Sequence, residues 1–272
     1  MIRDFLIINY SYSQILEFLV SLIRLENIDY FIMNNEEFSV DFEPQVMQFD
    51  GLAKIPAGKI LQDIKINGLG NIGGNFECDG LHTEGFLRAK GNLVLHGDFK
   101  CEGAFTCKGK LKCDQDVHIE GATSIRESVK VNGSLHNEGA FKCKDHLRAI
   151  NGAFFAGAAT VKGDLSSHGT IKILGRGKIL GNIVGENVII AISDKVKLPF
   201  SKRSLVTGDI AVKEKVSIDN IKVLGEIQGK IIQIGENSEI QGNVFYVDEV
   251  EISSDAHLLH EPVKISAEQL PK

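Results

Sequence analysis

The sequence predicts an all-β fold, a right-handed parallel β-helix of triangular section with about 18 residues per coil and a short helical or irregular N-terminal segment. Two observations predict it. Glycine recurs in steps of six between positions 73 and 181, and apolar residues recur two positions apart within each six-residue unit. No helix-length pattern separates the units, which excludes a doubly wound sheet.

The glycine positions mark regular corners. Of the nineteen positions reached in steps of six from 73 to 181, fourteen are Gly, and the exceptions are Asp79, Gln115, Glu127, Asp145 and Asn151. Asp and Asn tolerate left-handed backbone better than most side chains, and glycine adopts it freely. We predict structural corners at Gly85, Gly91, Gly97, Gly103, Gly109, Gly121, Gly133, Gly139, Gly157, Gly163, Gly169, Gly175 and Gly181.

Each unit reads as a short strand with one buried face. Counted from the glycine, positions three and five are mostly apolar, as in Leu93 and Leu95. Residues two apart face the same side of a strand. Asn132-Gly133 falls in step with the units, so it does not indicate a hairpin that reverses the chain. Three units then complete a coil, and residue i stacks on residue i+18 at a distance of about 4.8 Å.

The spacing of the inward residues also favours one hand. The left-handed helices of hexapeptide acyltransferases use six-residue units too, with an aliphatic residue followed by a small one three positions later. In this chain the inward residues are two apart, in units of the form G-x-φ-x-φ-x. This spacing predicts the right-handed winding.

Four stretches of the pattern resemble the bactofilins, the polymer-forming cytoskeletal proteins of bacteria. They are INGLGNIGGNFECDG (66–80), KGNLVLHGDFKCEGAFTCKGKLKC (90–113), VNGSLHNEGAFKC (131–143) and KGDLSSHGTIKILGRGKILGNI (162–183). The resemblance implies a right-handed β-helix that assembles end to end into non-polar filaments without nucleotide, often near the membrane. The family has no catalytic residues to carry over.

The chain departs from this family in its length and in a break, DKVKLPFSKRS, where Pro199 interrupts the strands. After the break, Gly208, Gly225 and Gly242 recur with a period of about 17 residues. We therefore expect five segments: an N-terminal extension, partly helical or disordered (1–59), a main β-helix (60–193), an interrupting loop (194–204), a second β-solenoid section (205–258) and a C-terminal tail (259–272). The sequence leaves open whether the second section stacks on the first.

Composition and motifs argue against several functions. The net charge is −6 with both signs mixed along the chain, whereas nucleic-acid binders are usually basic. The sequence has no Walker loop, no HExxH motif and no signature of a nucleophile with its base. We expect no enzymatic activity, no cofactor, no nucleotide and no nucleic acid.

The five cysteines form no CxxC motif, which indicates a reducing, cytoplasmic location. Cys101, Cys107 and Cys113 occupy inward positions on three different faces, where they act as small buried hydrophobes. Cys143 lies two coils from Cys107, too far for a disulfide. A soft metal held by the three converging thiols is the alternative, and we expect no metal.

The N-terminal segment suggests no membrane span, because its uncharged run (Phe5–Leu16) is short and contains polar residues. The stretch from Ile15 to Leu25 reads as an amphipathic helix, which is either an accessory helix or a membrane-surface anchor. Met33 is an alternative start of the protein.

A solenoid has two ends with unpaired strand edges, which proteins either cap or use. Our first hypothesis is a cytoskeletal scaffold whose copies join end to end into nucleotide-independent filaments. The main partner is then the protein itself, and membrane surfaces or cell-envelope proteins are further partners. The predicted polymerisation interface is Ile64, Ile66, Leu69 and Ile72 at one end, and Val244, Tyr246, Val250 and Ile252 at the other.

Two rival functions remain open. A hexapeptide-repeat acyltransferase would form trimers with a catalytic histidine between coils. A capped monomeric rod would bind an anionic partner through a basic ladder of Lys112, Lys130 and Arg148, which follow one another coil by coil on one outer face.

Three further polar residues are candidates for a metal site or for a structural hydrogen bond. His118 and His136 stack on one outer face as solvated side chains or a two-histidine metal site. Asn137 points inward and needs a hydrogen-bond partner.

Overall fold

The computed structural model describes residues 46–191 and 203–270. Its strands form one 25-stranded sheet that winds into a parallel β-solenoid of about twelve coils. This confirms the all-β parallel β-helix with about 18 residues per coil. Of the predicted N-terminal extension, residues 1–45 lie outside the described part, whereas residues from Met47 onward already form strands.

In chain order the first coils contain β1 (Met47–Ile55), β2 (Gly58–Ile60), β3 (Ile64–Ile72), β4 (Phe76–Cys78), β5 (Leu81–Ala89), β6 (Leu93–Leu95), β7 (Phe99–Cys107), β8 (Leu111–Cys113), β9 (Val117–Glu120), β10 (Thr123–Ile125), β11 (Val129–Val131) and β12 (Ser134–Cys143). The later coils contain β13 (Leu147–Ala149), β14 (Gly152–Val161), β15 (Leu165–Ser167), β16 (Thr170–Ile179), β17 (Ile183–Ala191), β18 (Ser204–Val206), β19 (Ile210–Ile218), β20 (Ile221–Val223), β21 (Ile227–Ile234), β22 (Glu239–Ile240), β23 (Val244–Ile252), β24 (His257–Leu258) and β25 (Val263–Lys264). A 3-10 helix (Ala267–Gln269) follows the last strand.

The strands stack on three faces. Face 1 contains the column that passes through Leu93, Leu111 and Val129. Face 2 contains the column through Phe99 and Val117. Face 3 contains the columns through Phe105, Thr123 and Phe141 and their neighbours. We call the corner between faces 2 and 3 corner A, that between faces 3 and 1 corner B, and that between faces 1 and 2 corner C.

The core lies along the solenoid axis. Within a typical strand such as β7, residues alternate between buried and more exposed positions, so the predicted inward residues two apart are confirmed. Phe99 and Phe105 meet edge to face with ring centroids 4.8 Å apart. Each fully buried phenylalanine contributes roughly 1.5–3 kcal/mol of apolar burial. Cys101 and Cys107 lie two positions after these rings and supply the small volumes that complete the coil.

The predicted glycine corners have two different physical causes. At corner A the backbone angle φ is strongly positive, and a Cβ would collide with the carbonyl of the glycine one coil earlier; this group is Gly85, Gly103, Gly121, Gly139, Gly157 and Gly175. At corners B and C no glycine of the predicted set has positive φ, and a Cβ would instead crowd residues of the preceding coil; this group is Gly91, Gly97, Gly109, Gly133, Gly163, Gly169 and Gly181. Asn220 and Asn237, with φ of 50° and 53°, occupy corner A in later coils.

Polar side chains join consecutive coils at corners B and C. The carboxamide Oδ1 of Asn75 accepts the backbone N–H of Asn92 at 2.8 Å, and Oδ1 of Asn92 accepts that of Lys110 at 2.9 Å. At corner C, Asp98 and Asp116 accept in the same way from the next coil. These side chains satisfy backbone donors that the bends leave outside the strand ladder.

The structure moves three predicted segment boundaries. The solenoid begins at Met47 rather than at residue 60, and β18 begins at Ser204, inside the expected loop. Its last strand ends at Lys264, so it extends into the expected tail. The second section stacks on the first, because Ile210 pairs with Ile183 and Leu205 pairs with Lys178.

We predict that Gly175→Ala destabilises the protein by about 2 kcal/mol or more, because the substitution adds a Cβ at φ 137° against the Gly157 carbonyl. Gly177→Ala, two residues away in β16, is the matched control. A Cβ there would meet Ile173 at 3.4 Å with no positive φ, so we expect a change below about 1 kcal/mol. Urea unfolding followed by circular dichroism measures both. Equal effects would contradict the role of corner A.

Candidate functional site

The predicted N-terminal half of the interface is wrong for three of its four residues. Ile64, Ile66 and Ile72 are at most 1% exposed, because β1 lies on them with Met47 opposite Ile64 and Phe49 opposite Ile66. The error follows from the early start of the solenoid, which adds a coil before residue 60. Leu69 is 55% exposed, but it lies on the outer surface beside corner A.

In the part of the chain that the structure describes, the N-terminal rim is instead formed by β1. Within the described ranges β1 pairs along one edge only, with β3. Met47 and Phe49 are partly buried and pack against the core. A sequence signal for this coil exists, since Gly51, Gly68 and Gly85 recur with a period of about 17 residues. A search in steps of six from Gly73 does not reach Gly51 or Gly68.

The C-terminal rim contains two residues of the predicted interface. Val250 is partly buried and Ile252 is 41% exposed. In the described chain, their part of β23 pairs only with β21. Val244 is fully buried, and Tyr246 is partly buried beside Lys264 of β25, so these two lie one coil inside the rim.

The outward residues of the C-terminal rim are strongly acidic. Asp248, Glu249, Glu251 and Asp255 are all exposed. Glu251 accepts a hydrogen bond from Nε2 of Gln233 at 2.6 Å. Lys264 is the exposed cation of the last strand. The rim therefore combines an apolar inward edge with an acidic outward edge.

The basic ladder forms as predicted on face 1, with Lys112, Lys130 and Arg148 in register on consecutive strands. Lys112 forms an ion pair with Asp114 at 3.1 Å, and a guanidinium N–H of Arg148 donates to Nε2 of His168 at 3.1 Å. Arg148 also lines a recess of about 410 Å³, to which Lys213 contributes as well. Binding of an anionic partner to this ladder stays a prediction.

A charged cluster at corner C links three consecutive coils through His96. Its Nε2 lies 2.8 Å from Oε1 of Glu77, and its Nδ1 lies 3.0 Å from Oδ2 of Asp114. The hydrogen bond to Glu77 and then that to Asp114 raise the pKa of His96. In return, hydrogen bonds from His96 and Lys59 lower the pKa of Glu77, and those from Lys112 and His96 lower the pKa of Asp114.

The two outward histidines stack as predicted, with ring centroids 4.8 Å apart. The Nε2 atom of each ring also lies 3.0 Å from Oε1 of a glutamate on the same strand. The partner is Glu120 for His118 and Glu138 for His136. Among residues 46–191 and 203–270, no group of three or more His, Cys, Asp or Glu is arranged to hold a metal ion.

All five cysteines are free and buried. Cys107 and Cys143 lie on the same face with Ile125 between them, as expected. Burial raises the pKa of Cys78 and Cys101 to about 12 and that of Cys107, Cys113 and Cys143 to about 11.

Asn137 finds its partner across the core rather than on the backbone. Its Oδ1 accepts a hydrogen bond from the Thr123 hydroxyl at 3.1 Å, and both residues are buried. Its Nδ2 has no partner within the described chain. A buried unpaired donor costs about 1–3 kcal/mol, so this polar pair weakens the core locally.

Comparisons with protein-family models, curated proteins and solved structures found no match to this chain. Of the helices in the described residues, none has the length and apolar character to cross a membrane.

We predict that His96→Gln lowers the melting temperature more at pH 5.5 than at pH 9. The raised pKa of His96 means that its protonated form stabilises the fold below pH 6.5, and this stabilisation is lost as pH rises through the higher folded value. The lowered carboxylate pKa values keep the cluster charged down to below about pH 4.5. His260→Gln, outside the cluster, is the control. Thermal scans with a pH-independent difference for His96→Gln would contradict this role.

We predict that the native thiols resist a thiol reagent at pH 8, since all five are buried and protonated. The same assay in denaturant should titrate five thiols per chain. Rapid reaction of any thiol in the folded protein would show that its coil opens in solution.

Proposed function

We propose that this protein is a structural cytoskeletal scaffold whose copies join end to end into filaments without nucleotide. The observation that carries the proposal is the C-terminal rim, where the outer edge of β23 beside Val250 and Ile252 pairs with no strand among the described residues. Such an edge offers backbone donors and acceptors together with apolar side chains. Both are satisfied when another strand continues the stack.

A solenoid is well suited to this use. Each coil contacts mainly its neighbours, so the coil of another copy can take the place of the next coil. The described coils form a rod roughly 55 Å long at about 4.8 Å per coil. Copies that join through the ends extend the rod in one dimension, and no nucleotide is needed because the strand edges supply the interaction.

The rest of the proposal concerns the surroundings of the filament. Five cysteines without a disulfide suit a reducing compartment, so we propose a cytoplasmic location. Association with the membrane or with cell-envelope proteins rests on the resemblance to bactofilins. The rival acyltransferase predicts trimers that bind acyl-CoA, and the capped rod predicts a monomer; sedimentation separates both from a polymer.

We predict that Ile252→Asp abolishes or strongly reduces filament formation, because it places a charge on the apolar edge of the rim. Ser217→Asp is the matched control, since Ser217 lies two coils earlier on the outer side of the same face. Negative-stain electron microscopy and sedimentation measure assembly, and circular dichroism confirms that both variants fold.

Filaments of the unmodified protein without ATP or GTP are the expected result. Monodisperse monomer at high concentration would overturn the proposal. Normal filaments from folded Ile252→Asp would show that the C-terminal rim is not the joint.

A further inference from the structure

Face 3 has a charge pattern of its own along five consecutive coils. In these coils the segment from corner A to corner B ends in Lys or Arg; the segments are GFLRAK (85–90), GAFTCK (103–108), GATSIR (121–126), GAFKCK (139–144) and GAATVK (157–162). None of them contains Asp or Glu, although the protein as a whole has a net charge of −6. This part of face 3 is therefore a basic surface on an acidic protein.

The cations that end these segments form a column, which we call the corner B ladder: Lys90, Lys108, Arg126, Lys144 and Lys162. The backbone N–H of each donates to a carbonyl one coil earlier, which keeps the ladder in step at about 4.8 Å per coil. All five side chains are exposed. Within the described ranges none of them forms an ion pair, whereas Lys65 and Lys100 on face 2 are paired with glutamates.

A recess of about 330 Å³ lies on face 3 beside this ladder. Three cations and two hydroxyl residues line it: Arg88, Lys108, Arg126, Thr106 and Ser124. Arg88, Thr106 and Ser124 are in register on consecutive coils, in β5, β7 and β10. Lys108 and Arg126 follow the two hydroxyl residues by two positions. The Cα atoms of Arg88 and Arg126 are then about 12 Å apart, so their long side chains can close around a small anion.

We propose that this recess binds a terminal phosphate group, carried either by a lipid headgroup or by a small soluble phosphate. Such a group has three strong acceptor oxygens and about two negative charges near pH 7. It can therefore use several cations and hydroxyl donors at once, and guanidinium groups match its oxygens in pairs. The site lies on a side face rather than at a rim, so it goes beyond the proposed function and does not depend on how copies join.

Acidic residues of the protein do not compete for this recess. None of its lining residues is acidic, and in the described part of the chain Arg88, Lys108 and Arg126 form no ion pair. Glu127 directly follows Arg126, but it stands at corner B and does not line the recess. The three positive charges are thus available to a ligand.

Two other recesses that contain cations differ in this respect. The recess beside the basic ladder on face 1 also contains Asp164 and Glu186. A recess of about 240 Å³ further along face 3 contains Arg203 and Lys222, which both form ion pairs with Glu239. Carboxylates already neutralise part of the charge in these two places, which favours the recess beside the corner B ladder as the phosphate site.

An apolar edge adjoins the site and bears on the source of the phosphate. Phe86 lines the recess and is 37% exposed, and Leu69, its partner one coil earlier, is 55% exposed. At a membrane surface, the cations would contact headgroup phosphates while these two side chains enter the boundary of the acyl chains. A soluble phosphate would use the cations and hydroxyls alone.

Two probes of the full-length protein distinguish these sources. Isothermal titration calorimetry with inorganic phosphate measures binding of a soluble anion. Flotation with phosphatidylcholine vesicles, with and without phosphatidic acid, measures binding to a lipid headgroup that ends in phosphate. Flotation is chosen because filaments sediment without vesicles, whereas vesicle-bound protein rises in the gradient.

We expect saturable binding to inorganic phosphate or to the vesicles that contain phosphatidic acid. Arg126→Gln should weaken it about tenfold or more, because the substitution removes a charge-assisted hydrogen bond. Lys130→Gln is the matched control, since it removes one exposed positive charge from face 1 and should change the affinity less than about threefold. Circular dichroism confirms that both variants fold.

Binding that Arg126→Gln weakens and Lys130→Gln does not supports the proposal, and the probe that binds more tightly identifies the source. Absence of binding to both probes at physiological ionic strength would overturn it. Equal weakening by the two substitutions would overturn it as well, because it indicates attraction to the overall positive charge rather than to the recess. Neither measurement depends on filaments, so either failure leaves the proposed function standing.

Discussion

Each coil has to follow the backbone path of the coil before it, and the rest of the structure depends on this constraint. Parallel pairing in register joins ten consecutive residues of β14 and β16 around corner A. At that corner the carbonyl of Gly157 lies where a Cβ of Gly175 would stand. Glycine is therefore required by the stacking of main chains as much as by the bend itself.

The coils differ in their number of residues, and the stacked strands accommodate these differences by local shifts of register. The later coils are shorter than those of the main repeat, and their strand pairings shift register at corner C, between Gly185 and Asn187 and again between Ala211 and Lys215. Corner B keeps its glycine, and the residues that follow Gly181 and Gly208 bond the next coil: Oδ1 of Asn182 accepts the backbone N–H of Asp209, and Oδ1 of Asp209 accepts that of Glu226. Faces and inward columns thus continue through the break, and both sections form one core.

The sequence predicts the repetitive part of the fold well, because one geometric rule generates it. The inward columns, the basic ladder on face 1 and the stacked histidines all follow from the repeat of three six-residue units. The start of the solenoid does not follow from this repeat, because the coils that contain Gly51 and Gly68 have fewer residues and are out of step with it. The hydrogen bond between Thr123 and Asn137 joins side chains on two different faces. The sequence repeat does not predict which side chains meet across the core.

The ends follow a different logic from the coils. Inside the solenoid each inward residue has a neighbour in the coil before it and in the coil after it. Apolar character alone is therefore enough for these residues to pack into the core. At a rim, any apolar surface can pack against the inward residues. These residues therefore do not distinguish one end from the other. The outward residues do, since the carboxylates of Glu249 and Glu251 lie on one rim whereas β1 is mixed in charge. In the proposed end-to-end assembly, the strand edge and the apolar core would supply the attraction, and the outward charges would distinguish one rim from the other.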